Sequence, residues 1–221
     1  MGRRLAAASA LALLCGTAAA AGTAGRAPDV TLHAVATGMG PVRQQAPMML
    51  KVQLADARLR IDFDAPAGAG GYLLADTGAR QAWLVSEAGE VALPVPTPVW
   101  TAFRVDPAAP CAGMRARCEP GPADVVANRL VQTWRYRDAD GRGPDGTDRG
   151  TLSVDPRTGL VMAFTGRLAG RAAVREFRVT AVDQAPLEKA LFELPRTLEQ
   201  VETRSRSRTR GGEPDRARRV P

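Results

Sequence analysis

The sequence predicts a mainly β fold: one strongly curved antiparallel sheet, an open half-barrel, with one or two short helices across it. Apolar and polar residues alternate with a period of two through most of the middle of the chain, which is typical of strands with one buried and one wet face. Short turns rich in Gly, Asp and Pro separate these runs, as sequential antiparallel strands require. Helical periodicity is scarce, so helices cannot cover the whole sheet.

The clearest strands form a hairpin. Residues 48–54 and residues 58–64 both alternate, and a three-residue turn separates them. Two such runs across a short turn favour an antiparallel pair. The same pattern predicts further strands at residues 30–37, 72–75, 81–86, 91–95, 130–137, 151–154, 160–165 and 172–182.

Three segments depart from the strand pattern. Residues 94–122 are rich in proline, and we expect a strand remnant followed by an excursion. Short helical turns are expected at residues 123–127 and 186–192, the second with Pro186 at an early helical position. The loop at residues 138–149 is rich in Gly and Asp and offers no apolar anchor.

Residues 1–21 are expected to be a cleaved Sec signal peptide. Arg3 and Arg4 precede an apolar run that is too short to span a bilayer, and small residues then offer a cleavage site near Ala20 or Ala21. This predicts a periplasmic or secreted protein. Leu14 precedes Cys15 and the apolar run continues beyond it, which argues against a lipid anchor at that cysteine.

The net charge of +7 lies at the two ends of the chain. Residues 203–221 hold seven arginines against two acidic residues, with few apolar residues, so a disordered Arg-rich tail is expected. It is either a solvated terminus or a contact with an anionic membrane surface. The remaining β-domain, residues 29–197, is close to neutral and lacks the basic face of a nucleic-acid-binding domain.

Cys111 and Cys118 remain as an even pair once the signal is removed, which favours a disulfide in an oxidising compartment. Closing so short a loop contributes roughly 2.5 kcal/mol in the chain-entropy model. Redox motifs have two residues between the cysteines, whereas six intervene here. A metal site needs more ligands, and the single histidine, His33, lies far away in sequence.

No catalytic set is apparent. His33 is alone, and Ser86 and Ser153 lack the glycines of a nucleophile elbow. Asp62 and Asp64 share a strand face with arginines, which is typical of a solvated face. The aspartates of the loop at residues 138–149 do not match the twelve-residue calcium pattern. We therefore expect no metal, no cofactor and no enzyme activity.

Four features in order carry a family resemblance: the strand at residues 58–62, the strand at 72–76, the hairpin at 150–161 and the closing motif at 191–195. Together they resemble exported domains of the lipoprotein-carrier (LolA/LolB-like) superfamily, over roughly residues 29–195. The resemblance implies an unclosed β-barrel that holds acyl chains or other apolar ligands without enzyme chemistry. The chain departs from the carriers because its first strand begins at Val30, without their covering N-terminal helix.

Two functions follow from these expectations. The leading hypothesis is a periplasmic non-enzymatic protein that binds a lipid, an acyl chain or a lipidated protein in the concave face. The alternative is an envelope-associated interaction or structural protein whose core is filled by its own side chains. The sequence does not set the oligomeric state. The candidate ligand-lining residues are Met48, Leu50, Val52, Leu59, Ile61, Phe63, Tyr72, Trp83, Trp134, Tyr136 and Phe164.

Overall fold

The computed structural model describes residues 27–38, 46–64, 70–86, 91–95, 103–171, 173–195 and 199–200. The expected signal, residues 1–21, and the expected tail, residues 203–221, lie outside the described residues. Within the described residues, twelve strands form one sheet. They are β1 Val30–Thr37, β2 Met48–Ala55, β3 Arg58–Phe63, β4 Gly71–Asp76, β5 Gln81–Ser86, β6 Val91–Pro94, β7 Arg117–Val126, β8 Arg129–Arg137, β9 Arg149–Val154, β10 Val161–Arg167, β11 Val174–Asp183 and β12 Glu199–Gln200.

The sheet consists of two meanders joined in the middle. Strands β1 to β6 follow one another outward, β7 to β11 form the second meander, and β11 pairs with β1. All pairs are antiparallel except β12, which lies parallel to β6. The sheet does not close, so the predicted mainly β fold on one open antiparallel sheet is confirmed. In the described part of the chain, no helix is long and apolar enough to cross a membrane.

The register brings the apolar side of each alternating strand to one face, which we call the inner face. Val52 lies opposite Leu32 and Ile61. In the other meander Phe164 lies opposite Phe177 and Leu152. All these side chains are buried in one core cluster, because a period of two places successive apolar residues on the same side of the pleat.

Residues 103–116, which lie between β6 and β7 in sequence, pack on the inner face through Phe103 and Met114. Phe103 is only 2% exposed. Its ring centroid lies 5.4 Å from that of Phe177 in an edge-on arrangement, and Phe164 stacks on Phe177 at 5.6 Å. The Val105 N–H donates to the Gly159 carbonyl at 2.8 Å. Residues 103–116, the crossover segment, therefore supply core side chains to the second meander.

The loop at residues 138–148 also packs on the inner face, so the expectation that it lacks an anchor is wrong. Ala139, Pro144 and Thr147 are buried. The Thr147 hydroxyl lies 2.6 Å from the Tyr136 hydroxyl, and Arg175 is hydrogen-bonded to Asp145. Burial raises the pKa of Tyr136 to about 12. Small and hydroxyl side chains anchor this loop, which hydrophobic periodicity does not detect.

Strand β7 was not predicted, and the short helix expected at residues 123–127 is wrong. Nearly all of β7 is exposed or half-buried on both faces, so its sequence has no apolar alternation. Pro120 and Pro122 are compatible with an edge strand, because an N–H on the free side of the edge needs no partner.

The C-terminal turn is a 3-10 helix, Lys189–Phe192, and it lies on the outer face, opposite the core. The Arg58 guanidinium stands 4.9 Å over the Phe192 ring, and Arg60 donates to the Leu191 carbonyl at 3.2 Å. This turn borders a second, smaller apolar cluster that includes Leu74 and Val85. It therefore covers the outer face of the first meander.

The predicted Cys111–Cys118 disulfide is confirmed by Cα atoms 6.2 Å apart, within the range that a disulfide requires. It ties the 3-10 helix Ala112–Met114, of which Met114 is buried, to the start of β7. Replacing both cysteines with serine is expected to lower the free energy of unfolding by about 2 kcal/mol. Urea denaturation with and without reductant measures this. Equal midpoints for the oxidised and reduced protein would contradict it.

Candidate functional site

The predicted ligand-lining residues fall into two groups. Nine of the eleven belong to the inner-face core or pack against it, and Tyr72 and Trp83 lie in the outer cluster beside Leu74. The strand register places the two groups on different faces of the sheet. Tyr72 lies opposite Asp62 and shares its outer face, whereas the neighbours of Asp62, Ile61 and Phe63, point to the inner face. The nine inner residues are Met48, Leu50, Val52, Leu59, Ile61, Phe63, Trp134, Tyr136 and Phe164.

The inner face is already occupied by the protein's own side chains. Phe103 and Met114 of the crossover segment are buried in the same cluster as Phe164 and Phe177. A cavity of about 240 Å³ lies between this segment and the loop at residues 138–148, above Leu152. Small-molecule sites usually enclose roughly 300–1,000 Å³, so this cavity is small for a lipid.

The described residues include no cluster of three His, Cys, Asp or Glu side chains that could hold a metal ion. His33 lies 3.4 Å from Asp183; the His33 side chain is half-buried and that of Asp183 is exposed. Asp62 pairs with Arg60 at 2.6 Å, as expected for a polar strand face. These groups therefore do not converge on a catalytic site.

Asp155 is the buried carboxylate that sequence reasoning did not single out. Its side chain is 3% exposed and lies 3.1 Å from Arg129. It also accepts the Arg157 N–H at 2.9 Å. Burial by itself raises the pKa of Asp155, but hydrogen bonds from Arg157, Thr158 and Arg129 outweigh burial and hold it below the usual range. The residue holds the turn between β9 and β10, so its role is structural.

A groove of about 610 Å³ lies on the outer face of β7–β11. Two rows of side chains cross it, one residue per strand. The first row follows directly opposed residues: Glu119, Arg135, Thr151, Thr165 and Glu176.

The second row, which we call the arginine row, consists of Arg137, Arg149 and Arg167, which line the groove, and of Arg117, which continues the row on β7 beyond the groove lining. Arg117 lies directly opposite Arg137, and Arg149 directly opposite Arg167. Tyr136 of β8 pairs with Gly150 of β9. Because the two strands are antiparallel, the next residue of β8, Arg137, lies beside the preceding residue of β9, Arg149. All four arginines are exposed. Four strands thus carry four neighbouring positive charges on one face.

The positive charge of the row is only partly balanced. Glu119 lies 2.6 Å from Arg137 and 3.8 Å from Arg135, and Asp138 lies 3.5 Å from Arg117. Within the described ranges, no carboxylate pairs with Arg149 or Arg167. Like charges directly opposite each other destabilise an antiparallel pair. Arg149 and Arg167 are therefore the members of the row without a carboxylate partner among the described residues.

Glycine and threonine form the floor of the groove. The hydroxyls of Thr151 and Thr165 lie 2.7 Å apart, so they satisfy each other. At Gly150, a Cβ would come within 1.9 Å of the Thr165 carbonyl oxygen, so glycine is required for the close approach of β9 and β10. The alternation in Arg135-Tyr136-Arg137 was visible in the sequence, but only the register shows that arginines from four strands align.

Replacing Arg149 with glutamine is expected to raise the free energy of unfolding by about 0.5 kcal/mol, because it removes the repulsion with Arg167. Chemical denaturation measures the change. Arg157→Gln is the matched control, since Arg157 is exposed in the β9–β10 turn and should leave stability unchanged. A loss of stability in Arg149→Gln alone would contradict the repulsion.

Comparison with known proteins defines a fold class and no particular relative. No family model and no curated protein matches the sequence. Among solved structures, an uncharacterized conserved protein from Thermus thermophilus has a TM-score of 0.55 and 10% identity, over 79% of this chain and 90% of that one. At this identity the similarity concerns the fold alone.

Two further structures have lower scores. MucB has a TM-score of 0.49 and 13% identity over 79% of this chain, which spans 60% of MucB. A LolA superfamily protein from Nitrosomonas europaea has a TM-score of 0.36 and 11% identity, over 75% of this chain and 89% of that one. One of the structural neighbours is thus a LolA superfamily protein.

Proposed function

We propose that this chain is an exported, non-enzymatic interaction domain that binds a partner protein through the groove on its outer face. One observation carries the proposal. Phe103 and Met114 of the chain itself are buried in the inner-face core and cover the second meander, where Phe103 packs on Phe177, whereas the outer groove of about 610 Å³ is open and lined by charged, threonine and glycine residues.

The filled inner face weighs against the apolar-ligand hypothesis. A carrier needs an apolar face that is free to receive the ligand, but Phe103, Phe164 and Phe177 pack against one another with at most 3% exposure. Lipid entry into this part of the face would require displacement of the crossover segment. That displacement is unfavourable because it exposes apolar side chains to water, and burial of one Phe side chain contributes roughly 2–3 kcal/mol to the free energy of folding.

The proposed compartment is the periplasm or the exterior. The signal-like residues 1–21 support export, and the Cys111–Cys118 disulfide suits an oxidising environment. In that setting the Arg-rich residues 203–221 would add a contact with an anionic membrane surface, worth about 1 kcal/mol per arginine near the surface.

Photo-crosslinking in cells tests the docking surface. A photoreactive amino acid in place of Thr165, exposed on the groove floor, is expected to give a discrete protein adduct. The same group in place of Arg157, exposed at the far end of the strand pair, is the control and should give none. The adduct should also be lost in the Arg149→Ala/Arg167→Ala double variant. Equal adducts from both positions, or none from Thr165, would contradict the proposal.

A further inference from the structure

We infer that the arginine row binds an extended acidic segment of a partner protein, with Asp or Glu at alternate positions. The inference rests on the proposed docking function and specifies the partner's chemistry. Its basis is the alignment of Arg117, Arg137, Arg149 and Arg167 across four strands, with the last two unpaired in the described part of the chain. Guanidinium groups bind carboxylates with paired, geometrically specific hydrogen bonds.

The dimensions of the row match an extended peptide. Adjacent strands lie about 4.8 Å apart, so four arginines span about 14 Å. An extended chain rises about 3.4 Å per residue and turns alternate side chains to one face. A five-residue segment with carboxylates at its first, third and fifth positions therefore covers the same length.

The other groove residues favour a polypeptide over a uniformly anionic surface. Glu119 and Glu176 are the two end residues of the first row, which runs alongside the arginine row. They would repel an anionic bilayer or a nucleic acid, whose charges are all of one sign. A peptide can place acidic side chains on the arginine row and neutral or basic ones against these glutamates.

The binding mode is a docking onto the sheet face rather than strand addition. The free edge next to the groove is β7, which contains Pro120 and Pro122. Proline lacks the N–H that a new strand would need, so the edge is poorly suited to pairing along its whole length. The charged face thus remains the surface open to the peptide.

Fluorescence anisotropy with the full exported chain tests the inference. The probe is a labelled Glu-Thr-Glu-Thr-Glu peptide, and a Glu-Glu-Glu-Thr-Thr peptide has the same charge with a different spacing. The Arg149→Ala/Arg167→Ala variant is expected to bind the first peptide about tenfold more weakly. Arg206→Ala/Arg208→Ala removes the same charge from the C-terminal segment and should change the affinity by less than about threefold.

Each remaining outcome overturns the inference. Equal losses of peptide affinity in the two double variants would mean that the peptide is held by non-specific charge attraction. Equal affinity for the two peptides would exclude a preference for acidic residues at alternate positions. Binding of phosphatidylglycerol vesicles that depends on Arg149 and Arg167, without peptide binding, would assign the row to a membrane surface. If the acidic peptide fails but the Thr165 adduct persists, the docking function stands and the acidic partner is wrong. Loss of both the peptide binding and the Thr165 adduct would overturn the acidic partner and the docking function together.

Discussion

Replacing Phe103 with alanine is expected to lower the free energy of unfolding by about 4 kcal/mol, within the range seen for large-to-small aromatic changes in cores. Phe103 is 2% exposed and contacts the Phe177 ring edge-on at 5.4 Å. The substitution removes this packing and leaves a cavity, because the β10 and β11 strands on the other side are fixed by their hydrogen bonds. Urea denaturation followed by tryptophan fluorescence measures the loss.

The same variant reveals what fills the inner face. An apolar cavity lined by Phe164 and Phe177 should bind a small apolar probe such as a fluorescent fatty acid, whereas the unmodified chain should not. Leu130→Ala is the matched control, since Leu130 is 64% exposed and should change neither stability nor probe binding. A Phe103→Ala protein as stable as the parent would show that the crossover segment does not close the face.

Replacing Asp155 with alanine is expected to cost about 3 kcal/mol at neutral pH, because Arg129 would lose its partner at a largely buried site. The pH dependence has a definite sign. The pKa of Asp155 is lowered in the folded protein, so its contribution is fully present above the unfolded pKa of about 4 and is lost as the pH falls through the lower folded value.

Denaturation of the parent and of Asp155→Ala between neutral and acidic pH measures this effect. The difference in free energy of unfolding should shrink below about pH 4. Asp64→Ala is the control, because Asp64 is exposed and should give a difference close to zero throughout. A difference for Asp155→Ala that stays constant to the lowest pH would contradict the lowered pKa.

Much of the fold was predictable because most strands bury one face, so that apolar and polar residues alternate along their sequences. The hairpin of β2 and β3 shows this most clearly, since Leu59 and Ile61 alternate with Arg58 and Arg60. Strand β7 was not predicted for the opposite reason. It is an edge strand exposed on both faces, so it has almost no buried side chains. Its prolines also favour a loop. Alternation of apolar and polar residues indicates that one face of a strand is buried. It does not detect strands that are exposed on both faces.

The candidate site was less predictable. Alternation assigns each residue to one of two faces within its own strand, but it does not relate the faces of different strands. Tyr72 and Trp83 were thus grouped with inner residues that lie on the other side. Likewise, Phe103 lies in a proline-rich segment without periodicity, so its burial depends on where the chain crosses the sheet. The arginine row depends on the register of three strand pairs, which no local pattern contains.

The most direct measurement of the central claim is native mass spectrometry of the protein purified without detergent from the cells that express it. If the inner face is filled by the crossover segment, the spectrum should show the mass of the oxidised chain alone, with no co-purified lipid. Phe103→Ala purified in the same way controls for loss of weakly held lipid during purification. A stoichiometric lipid or acyl-chain adduct on the unmodified chain would contradict the claim and restore the carrier function.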